Sequence, residues 1–207
     1  SNEKTTLITA IVVFAFCSVT LLAISAEKAT STAPTEGGSY VEGVVGQPSL
    51  INPVVASSEV DKALVRLVFS NVGDLAEKIE SVDLGRTWKL RLKEGLFWHD
   101  GERLTSDDII FTIQKIQDPD SRSPLQKSWQ GILTERISEL ELKFSLGITY
   151  AFFDDNLNNL YIIPQHLFRD IPVANWRISE FNLNPVGSGP FKFDSFETRS
   201  DGFISSY

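Results

Sequence analysis

Residues 88–116, WKLRLKEGLFWHDGERLTSDDIIFTIQKI, constrain the fold of this chain more than any other stretch. Trp88, Leu90 and Leu92 alternate with Lys89, Arg91 and Lys93, the period-two pattern of a strand with one face buried. Gly95 and the Asp100-Gly101 pair supply turns, because glycine takes a positive φ without steric cost. Thr105 or Ser106 then caps a helix. Thr105 with Asp108 three residues on resembles a capping box with Asp in place of Glu, and Asp107 and Asp108 sit at the positive end of the helix dipole. Ile109, Ile113 and Ile116 form the apolar face, flanked by Ile110 and Phe111, and Asp118-Pro119 ends the helix. Strand, turn, short strand, turn and helix in one run predict a mixed α/β fold.

The flanking sequence adds further elements. Residues 40–45 (YVEGVV) read as a strand. Residues 59–70 read as a helix with Val60, Leu64, Leu67 and Val68 on one face and Asp61, Lys62 and Arg66 off it. Residues 118–128 are a loop of turn formers. Residues 139–146 (ELELKFSL) alternate cleanly, with Leu140, Leu142, Phe144 and Leu146 inward. Residues 150–160 predict a short helix with Phe152, Phe153 and Leu157 inward.

The N-terminal part is different. Residues 7–26 (LITAIVVFAFCSVTLLAISA) carry no charge, and a helix of that length spans roughly 30 Å, the hydrocarbon thickness of a bilayer. The length fits an uncleaved membrane anchor. A signal peptide is the alternative, with Ala23-Ile24-Ser25 as its cleavage site. Either sends the rest of the chain out of the cytoplasm. Cys17 is the single cysteine, so no intrachain disulfide can form. It reads as a small hydrophobe, since Phe14-Ala15-Phe16 fits a lipid-attachment motif poorly. Residues 27–39 (EKATSTAPTEGGS) have nothing to bury and read as a flexible linker. The chain contains no methionine and closes within a strand-like pattern, which leads us to expect a piece of a longer protein.

Several motifs resemble those of the bacterial extracellular solute-binding proteins of family 5, the oligopeptide-, dipeptide- and nickel-binding proteins of ABC importers. Residues 89–113 (KLRLKEGLFWHDGERLTSDDIIFTI) carry the strongest likeness. Residues 46–53 (GQPSLINP) are similar to the family's first loop, with Ile51 disturbing the usual pattern. Residues 121–125 with Trp129 are similar to its SPL…W segment. Residues 162–167 (IIPQHL) and 184–191 (NPVGSGPF) complete a collinear set over about residues 40–207. The chain departs from the family after residue 70, where Asn71-Val72-Gly73-Asp74 leads almost directly to Leu75-Ala76-Glu77. The usual hairpin there is missing or minimal, which leaves the local sheet edge open to question.

The resemblance implies a type-II periplasmic-binding-protein-like α/β fold, bilobal, here truncated to its N-terminal portion. Residues 40–57 and 186–207 would belong to the main lobe and 58–185 to the small N-terminal lobe. It implies no catalysis. The function would be capture of peptides outside the cytoplasm, at the periplasm or outer face of the membrane, and delivery to ABC permease subunits. The same fold binding a nickel chelate, heme or another small solute is an alternative. A membrane-tethered sensory or structural module without transport is another. In the family the segment after the first loop, here Val54 to Glu59, passes beside the ligand cleft, and the NPVGTGPY-like segment is the crossover between lobes. By that resemblance Ala56, Ser57, Ser58 and Glu59, with Gly187, Ser188 and Gly189, are expected to line the cleft or its hinge, near a concave surface.

Residue chemistry read without the resemblance points the same way. A net charge of −8 argues against a nucleic-acid surface. His99 and His166 are 67 residues apart and share no ligand spacing with acids or the cysteine. Asp107-Asp108 and Asp154-Asp155 point about 100° apart on a helix, which suits capping rather than a carboxylate dyad. Gly187-x-Gly189 ends in Pro190, which lacks the N–H of a phosphate cradle. No serine sits in a nucleophile elbow, so no hydrolase constellation is present. Trp88, Trp98, Trp129 and Trp176 read as core anchors. No cofactor or metal is implied.

Overall fold

The computed structural model describes residues 41–207 together with Ser18 and Thr20. Apart from those two residues, the apolar run 7–26 with Cys17, the linker 27–39 and Tyr40 lie outside the described residues. Among the described residues no helix is long and apolar enough to cross a membrane. Val44–Tyr207 forms one compact unit.

A four-stranded antiparallel sheet is built around the alternating segment of residues 88–92. In chain order the elements are helix α1 (Glu59–Val68), α2 (Val72–Leu75), strand β1 (Ala76–Ser81), β2 (Thr87–Leu92), α3 (Ser106–Gln117), α4 (Gln126–Trp129), β3 (Leu133–Arg136), β4 (Glu141–Ser145), α5 (Phe153–Asn158), α6 (Gln165–Phe168), β5 (Glu197–Thr198) and β6 (Ile204–Ser206). Three short 3₁₀ turns, Pro119–Ser121, Val173–Ile178 and Glu180–Asn182, lie between them. The sheet order is β1-β2-β4-β3, and β5 and β6 form a separate hairpin.

The register explains how one face becomes the core. Trp88 pairs with Phe144 and Leu90 with Leu142 across β2 and β4, and Leu90 faces Ile79 of β1 on its other side. All of these point to one side, because side chains alternate along a strand. Trp88, Leu90, Leu92, Leu142 and Phe144 are buried. Ile109, Ile113 and Ile116 of α3 are wholly buried in the same cluster, each contributing about 1.5–3 kcal/mol by burial. Phe153 of α5 closes it, with its ring 5.2 Å from that of Phe144 and 5.9 Å from Trp88. On the opposite face Arg91 pairs with Glu77 and Glu141.

The helix expected after Thr105 forms as read. Thr105 and Asp108 make a reciprocal capping box, and Asp118 ends the helix. Gly95 and Gly101 have φ of 70° and 91°. All four tryptophans are buried.

Three expectations are corrected. Residues 41–45 form no strand, and Val41 and Val45 are 92% and 98% exposed; apolar side chains that stay in solvent give an extended conformation no burial to stabilise it. In α1 the buried face is Val60, Asp61, Val65 and Val68, while Leu67 is exposed. The helix is turned because Asp61 is drawn inward by hydrogen bonds described below. Phe152 is 65% exposed, since it precedes the first turn of α5 and only Phe153 and Leu157 share its inner face. The shortened region after residue 70 resolves into α2 followed at once by β1, an edge strand with a bulge between Ala76 and Lys78.

Candidate ligand-binding site

The first group of expected site residues sits at the N-terminal end of α1. Ser58 is the N-cap, and its hydroxyl accepts from Asp61 N–H. Asp61 is almost wholly buried, and Oδ1 accepts from the backbone N–H of Ser49 at 2.8 Å and of Leu50 at 3.0 Å. The hydroxyls of Ser49 and Ser58 donate to its other oxygen. One carboxylate thereby ties residues 49–50 to the start of α1. Asn52 continues the turn, its side chain accepting from Val54 N–H and its carbonyl from Val55 and Ala56. Val54, Val55 and Ala56 are buried, and Ser57, Ser58 and Glu59 emerge into solvent. Lys62 donates to Glu59 at 2.9 Å, and its bond and charge hold the Glu59 carboxyl below the ordinary range.

The second group sits at the other end of the same helix. Gly189 N–H donates to Val68 carbonyl at 2.8 Å, Phe191 N–H to Leu67 carbonyl at 3.1 Å, and Ser70 hydroxyl to Ser188 carbonyl at 2.7 Å. The glycines permit this contact. A Cβ on Gly187 would lie 1.9 Å from the Val68 carbonyl oxygen, and one on Gly189 2.7 Å from that of Leu67. Neither glycine has a positive φ, so it is the missing side chain, not backbone freedom, that the site uses.

Ala56, Ser57, Ser58 and Glu59 therefore lie at one end of α1 and Gly187, Ser188 and Gly189 at the other. With 1.5 Å of rise per residue over ten residues, the two groups are about 15 Å apart. They do not converge on one point.

Between the motifs a polar network joins residues far apart in sequence. His99 N–H donates to Gly187 carbonyl at 2.8 Å, and its ring Nε2 donates to Gly189 carbonyl at 2.9 Å. His166 Nε2 donates to Asp100 at 2.7 Å. Burial works to raise the Asp100 carboxyl, but the bond from His166 and the N–H of Glu102 outweigh it and bring it below the ordinary value. Asp108 behaves oppositely. Burial pushes its carboxyl up, although the N–H groups of Thr105 and Gln165 donate to it. This region opens into a polar hollow of about 320 Å³ lined by Arg103, Thr105, Asp108, Glu139, His166 and Arg169, among others. A second, more apolar hollow of about 460 Å³ is lined by Ile132, Leu146, Ile148, Tyr150 and Phe153 with Gln130 and Asn156. The seven expected site residues line neither of these two hollows.

The sequence did not reveal that Asp61 anchors a loop, that His99 holds the 187–189 segment, or that Asp100 and His166 meet. Their partners lie 12, 90 and 66 residues away, beyond any local pattern. The conjunction of an H-D-G turn and an I-P-Q-H-L segment was the only available signal.

The family model described as "Bacterial extracellular solute-binding proteins, family 5 Middle" matches residues 71–201. The chain is 29% identical over 194 residues to the oligopeptide-binding protein AppA of Bacillus subtilis, covering 87% of this chain and 36% of AppA. It superposes on the structure of AppA in complex with a nonapeptide with a TM-score of 0.72 at 27% identity, covering 84% of this chain and 37% of that one. The substrate-binding protein CtaP of Listeria monocytogenes gives a TM-score of 0.70 at 34% identity, covering 79% and 36%. NikZ of Campylobacter jejuni, solved with Ni(L-His), gives 0.64 at 29% identity, covering 76% and 32%. The fold is thus the mixed α/β fold of these binding proteins, and the chain spans only about a third of the length of these relatives.

Proposed function

The chain belongs to the bacterial extracellular solute-binding proteins of family 5, and we propose on that footing that it captures peptides outside the cytoplasm and delivers them to the permease of an ABC importer. The observation that carries this reading is the likeness to AppA, which spans 87% of the chain and extends to a structure holding a nonapeptide. The protein acts by binding and not by catalysis. Residues 1–26 tether or export it, residues 27–39 hold it off the membrane, and residues 58–185 form the smaller lobe against a main lobe that includes 40–57 and 186–207.

Ala56, Ser57, Ser58 and Glu59, with Gly187, Ser188 and Gly189, border the cleft in this reading. Their separation along α1 gives the cleft a length of about 15 Å, the span of roughly four to five extended residues. An extended peptide meets such an edge through main-chain hydrogen bonds, with side chains read by pockets in alternation. A nickel chelate is the second reading, favoured by the likeness to NikZ bound to Ni(L-His).

Thermal-shift screening of the protein against di-, tetra- and longer peptides, nickel–histidine and heme decides between them. A ligand at 100 times its dissociation constant stabilises by about 2.7 kcal/mol. Stabilisation by peptides of four or more residues supports the proposal. Stabilisation by nickel–histidine alone replaces it with the second reading. A folded protein that responds to none of them is a tethered sensory or structural module.

A further inference from the structure

The segment 187–191 is held from two sides. On one side Gly189 and Phe191 donate to the last carbonyls of α1, and Ser70 donates to Ser188 carbonyl. On the other, His99 donates to the carbonyls of Gly187 and Gly189 through its backbone and its ring. Lys192 Nζ then donates to His99 carbonyl at 2.9 Å. A carbonyl cannot donate, so ring Nε2 of His99 carries the proton of that bond. Among the described residues nothing bonds Nδ1, which is buried. The ring therefore makes one hydrogen bond, and that bond goes to the segment.

His99 is itself held in place. Its neighbour Trp98 is 2% exposed; its N–H donates to Glu102 carbonyl and its carbonyl accepts from Gly101 N–H across the turn. Its other neighbour, Asp100, accepts from His166 at the start of α6. The turn is thus fastened to the core on one side and to the polar network on the other before it reaches the segment.

We propose that His99 is a positioning residue that clamps residues 187–191 to the body of this unit. The clamp fixes the path of the chain as it leaves residues 58–185, so any bending on ligand capture begins beyond Lys192 and not at the two glycines. The glycines are there to permit contact, as their negative or extended φ and the 1.9 Å and 2.7 Å Cβ approaches require. This inference rests on the ligand-capture reading for its purpose, but the clamp itself can be observed without ligand.

Amide hydrogen exchange of the intact chain tests it, comparing the wild type with His99→Ala and His99→Gln. The glutamine amide restores a donor at about the reach of Nε2, and the backbone bond from residue 99 survives in both variants. Exchange at Gly189 and Phe191 is expected to quicken about tenfold in His99→Ala, the change that accompanies the net loss of one hydrogen bond. It should return to near the wild-type rate in His99→Gln, while the amides of Ile113 and Ile116 in α3 stay unchanged in both. Unaltered exchange at Gly189 and Phe191 in His99→Ala overturns the clamp. Acceleration that extends equally to Ile113 and Ile116 also overturns it, because His99 would then be a general stability residue. Selective acceleration in a protein that binds no peptide keeps the clamp and removes the peptide-capture reading.

Discussion

Replacing Gly187 with alanine should be far more damaging than its small size suggests. The new Cβ would lie 1.9 Å from Val68 carbonyl oxygen and 2.6 Å from its carbon, against an ordinary contact of 3.4–4 Å. Both atoms are backbone, so no side-chain rotation relieves the clash. The segment must retreat by about 1.5 Å, and the bonds from Gly189 to Val68, Phe191 to Leu67 and Ser70 to Ser188 are lost or strained. Overpacking costs about 1–3 kcal/mol, and each lost hydrogen bond about 1 kcal/mol net. The expected total is about 3–5 kcal/mol, a fall in Tm of roughly 10 °C for a unit of this size. Gly95→Ala is the control. Gly95 has a φ of 70° but nothing within 4 Å of its Cβ position, so its cost is conformational only, about 1–2 kcal/mol. Urea unfolding of both variants measures the difference. If Gly187→Ala is no more destabilising than Gly95→Ala, the close approach of 187–191 to α1 is not a feature of the folded protein.

Three further outcomes follow from the same packing. Asp61→Ala leaves the buried acceptor sites for Ser49 and Leu50 N–H empty and should cost about 3 kcal/mol in urea unfolding; a loss below 1 kcal/mol would mean that the 49–52 loop is not held by this carboxylate. Phe153→Ala should cost about 3–5 kcal/mol, whereas Phe152→Ala, one residue earlier and exposed, should stay within about 0.5 kcal/mol; equal losses would refute the orientation of α5. Asp108 takes up its proton at higher pH in the folded chain than in the unfolded one, so its protonation favours folding. That contribution is full below the unfolded value of 3.8 and is lost as pH rises through the higher folded value. The stability of the wild type relative to Asp108→Asn should therefore fall with rising pH across that window, and a rise would contradict the burial of the carboxyl.

The parts of the fold that were legible in sequence are those in which one local pattern decides burial. Trp88, Leu90 and Leu92, and Leu142 with Phe144, alternate because one sheet face is covered and the other is wet. Thr105 and Asp108 cap a helix by a bond spanning three residues. Asp61 was misread because helical periodicity treats an aspartate as outward, whereas four donors from residues 49, 50 and 58 make its burial favourable. Strand β3 was missed because LTER carries no alternation on an edge where Leu133 is exposed. Residues 41–45 have strand-like composition, but Val41 and Val45 stay exposed, and composition alone does not bury them. Gly187 and Gly189 lie against the carbonyls of Val68 and Leu67, and which backbone they approach is a tertiary fact.

The placement of the motifs bears on what each of them does. The H-D-G turn, the I-P-Q-H-L segment and the N-P-V-G-S-G-P segment meet through His99, Asp100, His166 and the carbonyls of Gly187 and Gly189. Those contacts are made within this chain: one is backbone to backbone, one side chain to backbone and one side chain to side chain. They are assembly contacts, and a sequence that keeps them keeps the shape of this unit whatever it binds. In the proposed reading, solute choice falls to exposed side chains at the N-terminal end of α1, such as Ser57 and Ser58. Substitutions should divide accordingly. His166→Ala removes the partner of Asp100 and should lower stability with peptide affinity changed only through the unfolded fraction. Ser57→Arg, at an exposed position, should leave the unfolding midpoint within about 0.5 kcal/mol and shift peptide affinity tenfold or more. Calorimetric titration of both variants with one peptide separates the two. A large intrinsic affinity change in His166→Ala with none in Ser57→Arg would place ligand selection in the motif network instead.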